Sequence, residues 1–223
     1  MVSRNEGYRR GAGKEAVALS ILRDFLRETA GTPGTVIEDP DENYLHGDLR
    51  FSPTVTIECK GQPIDPDRYR QNFVEVFEVT RNPRHAGGFA GVAGLLGMDE
   101  PALAAVKVRA GGRTSGLGVL PFVSTSITSI ASSAFTAYVN YNDGGRHIYL
   151  YARDEILGHL REAVAGNGLV RGAGNSNEDT FAVFVPLASM RWTRRNGVWV
   201  ATGETDGNAA RGILAGALGA GGS

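Results

Sequence analysis

The chain has 223 residues, 42% of them apolar and 21% charged, and a formal net charge of −1; it is long enough to bury a substantial core, and its composition is ordinary for a globular domain. The near-zero charge excludes a global electrostatic pull toward nucleic acid, and the single cysteine, Cys59, excludes an internal disulfide or a cysteine-rich zinc site. No run approaches about 18 uninterrupted apolar residues, and residues 1–6 lack the apolar core of a secretory leader, so a cytoplasmic protein with no membrane partner is expected.

The distribution of charge says more than its sum. Residues 1–100 carry 12 basic and 16 acidic side chains, and residues 101–223 carry 11 and 8. Arginine supplies 20 of the 23 basic residues, and lysine occurs only as Lys14, Lys60 and Lys107. A lysine beside a glutamate, as at Lys60, therefore stands out.

In chain order, residues 12–29 predict a first helix: Ala18, Leu22 and Phe25 recur at helical spacing, Leu19 and Leu26 widen the stripe, and Gly31 and Pro33 stop it. Residues 35–38 predict a short strand. Residues 44–51 alternate, with Leu45, Gly47, Leu49 and Phe51 on one side and His46, Asp48 and Arg50 on the other. Residues 54–60 alternate again, with Val55, Ile57 and Cys59 opposite Thr54, Thr56, Glu58 and Lys60. A period of two is that of a half-buried strand, and the Ser52-Pro53 turn joins the two strands into a hairpin. Residues 61–67 read as a loop, residues 68–72 as a helical turn and residues 73–80 as a third strand of the same core.

Farther along, residues 84–110 predict a Gly/Ala-rich helix or helix pair, broken near Gly97 and restarted at Asp99-Glu100-Pro101, and residues 117–124 and 134–141 predict strands separated by an unassigned Ser/Thr-rich stretch. Asn142-Asp143-Gly144-Gly145 predicts a hairpin turn into a strand over 147–151. A helix over 154–165 is expected to be capped by Asp154, and residues 181–185 and 198–201 predict further strands. With no repeat and no clear linker, one α/β domain over 1–205 is expected, followed by a mobile Gly/Ala-rich tail over 206–223.

The chemistry concentrates in Asp48, Glu58 and Lys60. Hydrolysis of a phosphodiester needs a water delivered in line and charge neutralised on the phosphate and leaving oxygen; carboxylates that hold Mg²⁺ supply both needs, and a lysine beside them orients the water and offsets charge. In Glu58-Cys59-Lys60 the two charged side chains share one face of a strand, about 7 Å apart along it, and Asp48 falls on the polar face of the neighbouring strand.

This order of helix, Gly47-Asp48 strand and Glu58-Cys59-Lys60 strand resembles the PD-(D/E)XK, or restriction-endonuclease-like, nucleases, with Gly-Asp in place of Pro-Asp. The resemblance covers residues 12–80. It implies an α/β restriction-endonuclease-like core, a central mixed β-sheet flanked by helices. It also implies a Mg²⁺-dependent DNA endonuclease, most simply of restriction type, that takes Mn²⁺ as a substitute. Asp48 and Glu58 would hold the metal, Lys60 would position the water, and Glu15 would stand where such nucleases lend a glutamate from an upstream helix. DNA is the implied partner. A restriction role implies a homodimer, since two-fold protein symmetry then matches a duplex cut on both strands. Residues 100–202, with their positive balance, are the expected DNA-gripping, specificity or dimerisation elements.

Gln62 or Gln71 could touch a water or the substrate, and Arg191, Arg194 and Arg195, interleaved with Trp192, could contact phosphates, although a solvated hairpin edge fits them as well. His46 reads either as a neighbour of the metal or as a solvated histidine. Other readings stay open for the whole chain: a solvated ion cluster in a non-catalytic DNA-binding or phage structural protein, or a junction or repair nuclease with the same core.

Overall fold

A computed structural model of the chain describes residues 4–30, 49–52, 55–62, 71–77, 88–105, 127–142, 145–166, 170–171 and 181–219. The chain divides into two compact units, one of residues 1–66, 133–151 and 188–223 and the other of residues 67–132 and 152–187. The division is discontinuous because the chain leaves the first unit after Pro66, returns at Ser133 and leaves it again over residues 152–187. Such an excursion leaves no composition shift to read. Among the described residues no helix is long and apolar enough to cross a membrane.

The first unit begins with helix α1 (Arg4–Ala30), which starts eight residues before the expected position. Strands β1 (Leu49–Ser52) and β2 (Val55–Gln62) pair antiparallel, Leu49 opposite Ile57, with a register shift between Arg50 and Ser52. Labelled in chain order, β3 and β6–β7 lie in the second unit, and β4 (Phe135–Asn142), β5 (Gly145–Ala152), β8 (Met190–Arg195) and β9 (Val198–Ala201) complete a six-stranded mixed sheet of order β1-β2-β4-β5-β8-β9. The β2–β4 pair is parallel, with Glu58 beside Thr136 and Lys60 beside Tyr138. The predicted alternation of β2 is present, but its polar side is not open: Ile57 and Cys59 are fully buried on one face and Glu58 is only 5% exposed on the other.

Helix α1 packs on β2, β4 and β9 through Ala18, Ile21, Leu22, Phe25 and Leu26, all buried. Leu19, expected in the stripe, is half-buried, and Ile21 takes its place. Phe25 is the anchor: its ring lies 4.8 Å from that of Trp192 and 5.2 Å from that of Trp199, tilted and edge-on respectively, arrangements that suit the ring quadrupoles. The β8–β9 turn uses Asn196 (φ 50°) and Gly197 (φ 80°), the left-handed pair that a two-residue hairpin turn demands.

The expected mobile tail contains helix α6 (Gly207–Gly219). Asp206 caps it, its Oδ1 accepting from the Asn208 amide at 3.4 Å, and Ala210 and Leu214 are buried where the helix meets α1. Small residues let a helix lie close to a neighbour, and this packing outweighs the poor helix propensity of glycine that made the segment read as loose.

The second unit holds α2 (Gly88–Leu95), α3 (Glu100–Ala105), α4 (Ile127–Ser132), α5 (Arg153–Ala165) and a three-stranded antiparallel sheet. That sheet is formed by β3 (Gln71–Phe77), β7 (Phe181–Pro186) and β6 (Val170–Arg171), in the order β3-β7-β6. Two expectations change here. Residues 71–72 belong to a strand rather than a helical turn, and β3 pairs with β7 instead of extending the sheet that carries Glu58. Helix α5 starts at Arg153 and has no side-chain cap, so Asp154 lies in its first turn, where a carboxylate still meets the positive end of the helix dipole. The Ser/Thr-rich stretch left unassigned by sequence includes α4. The strands expected at 35–38 and 117–124 lie outside the described residues.

Truncating Phe25 removes the ring that both tryptophans pack on. Phe25→Ala is expected to lower unfolding free energy by about 3–5 kcal/mol, read from urea denaturation followed by tryptophan fluorescence. A loss below about 1 kcal/mol would show that the α1–β8–β9 packing is not a principal core contact.

Candidate active site on strand β2

The site is built by the close approach of α1 to β2. A Cβ placed on Gly61 would run into the Cβ of Ala18, while the Lys14 carbonyl oxygen would lie at 3.5 Å, in ordinary contact. Glycine is required at Gly61 for the helix to lie this near the strand. The Tyr141 hydroxyl on β4 donates to the same Lys14 carbonyl at 3.4 Å, and burial pushes its pKa above the usual value, so it remains a donor through neutral pH. The consequence is positional. Glu15, one turn before Ala18, is brought within reach of β2.

Lys60 bridges two carboxylates, its Nζ 2.7 Å from Glu58 Oε1 and 3.3 Å from Glu15 Oε1. Side-chain exposure rises through the trio, from 6% for Glu58 to 21% for Lys60 and 41% for Glu15. The arrangement is a row of charges that runs from the buried Glu58 to the solvent-exposed Glu15. A buried carboxylate is tolerated because a cation at hydrogen-bond distance compensates its lost hydration. Along the same face, the parallel register sets Thr136 beside Glu58, Tyr138 beside Lys60 and Asn140 beside Gln62. Thr136 is fully buried and Asn140 2% exposed, and the Thr136 hydroxyl has no hydrogen-bond partner among the described residues.

Of the residues singled out by sequence, the structure brings together Glu15, Glu58 and Lys60. Asp48 and His46 lie outside the described residues, Asp48 immediately before the first residue of β1. Gln62 ends β2, opposite Asn140. Gln71 opens β3, in the other unit, opposite Pro186. The arginine run lies on β8. Arg194 is engaged at once by Glu28, at 2.9 Å, and by the face of Trp199, at 5.5 Å. Arg191 is half-buried, and Arg195 is the member exposed to solvent. Sequence reasoning missed Thr136 and Asn140. Their signal is present in the alternation of the 134–141 segment, but nothing local says which strand that segment pairs with.

Glu58 is a hard oxygen donor, and Mg²⁺ needs only one or two carboxylates beside waters and phosphate oxygens, so a carboxylate of this kind fits the donor set of such an ion. Among the described residues no three His, Cys, Asp or Glu side chains cluster closely enough to enclose a metal by themselves. No protein family, curated protein or solved structure matches the chain.

The steric claim at Gly61 is directly testable. Gly61→Ala is expected to cost about 1–3 kcal/mol by overpacking, and adding Ala18→Gly should recover part of that loss despite the lower helix propensity of glycine. Additive losses in the double variant, measured by chemical denaturation, would argue against the contact. Removing the cation, Lys60→Ala, leaves the Glu58 carboxylate buried without its bridge. It should destabilise by about 3 kcal/mol, the lower end for a buried pair because Lys60 keeps some exposure; Glu58→Gln in the same chain should restore part of it.

Proposed function

We propose that this protein is a Mg²⁺-dependent DNA endonuclease of restriction type, with a restriction-endonuclease-like core in its first unit. The observation that carries the reading is the Lys60 ammonium held between a buried carboxylate, Glu58, and a helix-borne one, Glu15. In this reading Glu58 and Asp48 hold the metal. When bound, the ion supplies charge neutralisation at the scissile phosphate and a polarised water. Lys60 keeps a proton donor against that water and against the phosphate oxygen, with its side chain fixed at both ends rather than free to rotate. Glu15, at the exposed end, holds the Lys60 ammonium from the helix side. In the same reading Arg195, exposed on β8, is the arginine that meets a phosphate. A homodimer follows from the restriction role, since both strands of a duplex must be cut.

A second reading is favoured by the same trio: a cation clamped by two carboxylates also suits a purely structural ion pair in a non-catalytic DNA-binding or structural protein. Incubation with plasmid DNA in Mg²⁺ and in Mn²⁺ separates the two. Wild type is expected to nick or linearise DNA, and Lys60→Ala, Glu58→Gln and Asp48→Asn each to lower the rate on the order of 10²–10³-fold. Glu15→Gln should have a smaller effect. If wild-type protein leaves unmodified, methylated and branched DNA intact under both metals, the nuclease reading falls and the structural one stands.

A further inference from the structure

The geometry points to Thr136 as the residue that holds the attacking water, a role resting on the nuclease reading above. Thr136 is a fully buried side chain whose hydroxyl has no partner among the described residues. Buried hydroxyls are nearly always hydrogen-bonded, and one left bare is either a standing cost or the binding point of something absent from the protein itself. Its place on the sheet selects the second explanation. The parallel register puts Thr136 directly beside Glu58, and side chains in one row of a sheet stand on the same face, with strands about 4.8 Å apart. The hydroxyl therefore stands on the wall that carries Glu58 and Lys60, whose charged ends meet at 2.7 Å.

A water held between the Thr136 hydroxyl and the Glu58–Lys60 pair would meet three different kinds of group: a carboxylate, an ammonium and a hydroxyl that both donates and accepts. The lysine and the carboxylate alone leave the water's orientation loose, since an ammonium has three equivalent protons. The hydroxyl adds a third, directional point of hold from the neighbouring strand. Threonine suits the task because branching at Cβ restricts the rotation that would swing the oxygen away. Its contribution goes to the water and not to DNA affinity.

The test compares Thr136→Val, which keeps the shape and deletes the oxygen, with Thr136→Ser, which keeps the oxygen. In metal-free protein, Thr136→Val should melt at the wild-type temperature or above it, because the deleted hydroxyl has no hydrogen-bond partner among the described residues. In Mg²⁺, the same variant should cut plasmid about tenfold more slowly in kcat, the magnitude of one well-placed hydrogen bond, with KM unchanged; Thr136→Ser should recover most of the rate. Binding to uncut DNA in Ca²⁺ should match wild type. A Thr136→Val protein that cuts at the wild-type rate, while Lys60→Ala does not cut, overturns the role of Thr136 and leaves the nuclease reading intact. A lowered melting temperature, with activity lost in proportion and not restored by serine, also overturns it, assigning the hydroxyl to the fold. Wild type that cuts no DNA overturns both.

Discussion

The arrangement of the first unit depends on how near α1 can come to β2. The approach is set by one missing atom, the Cβ that Gly61 lacks opposite Ala18. Packing of a helix on a sheet normally leaves a spacing of about 10 Å filled by side chains. Here the helix closes in locally, and a short carboxylate, Glu15, reaches the ammonium of Lys60 without an extended linker. The Phe25–Trp192–Trp199 cluster, about two helical turns farther along α1, holds the other end of the helix to the sheet. Close contact at one end and aromatic anchorage at the other fix the helix in both position and rotation. Rotation decides whether Glu15 faces the strand or solvent.

Energetics and chemistry pull in opposite directions at Glu58. A glutamate with 5% of its surface exposed is costly, and a well-packed apolar residue would often serve stability better than a buried ion pair. The surrounding polar row sharpens the point, because Thr136 and Asn140 are also buried on the same face. Apart from Tyr138, whose ring packs edge-on against Tyr151, this row contributes little as a hydrophobic layer. It is a wall of fixed dipoles and charges from which bulk water is largely excluded, the setting in which electrostatic interactions gain strength.

Sequence alone carried the local geometry far and the partnerships poorly. The alternation around Glu58 and Lys60 is a property of one strand, so their shared face was legible. The stripe on α1 was legible for the same reason, and with it the chance that Glu15 would overhang the strand. What period-two alternation cannot report is which strand lies alongside. The FVEVFEVT segment (residues 73–80) looked like a neighbour of β2 by proximity in the chain, yet Phe73 and Val74 pair with Phe184 and Val183. The true neighbour, β4, begins at Phe135. Alternation also misled about solvent: it reports that a strand has two unlike faces, not that the polar one is wet. Helix α6 was missed because Gly and Ala carry little amphipathic signal, and its burial rests on two residues, Ala210 and Leu214.

The parallel pairing of β2 with β4 has a kinetic consequence. The face bearing Glu58 and Thr136 exists only after Ile57 has met Phe135, a closure across the whole 63–134 excursion. Closing so long a loop adds little to the equilibrium cost, which grows only with the logarithm of length, but contacts far apart in sequence slow the search for the native topology. The β1–β2 hairpin can form early, bringing one half of the wall; the other half arrives with global folding. A partly folded chain therefore displays Glu58 and Lys60 to water as an ordinary surface pair, and the secluded polar corner comes into being in the same step that commits the first unit to its fold.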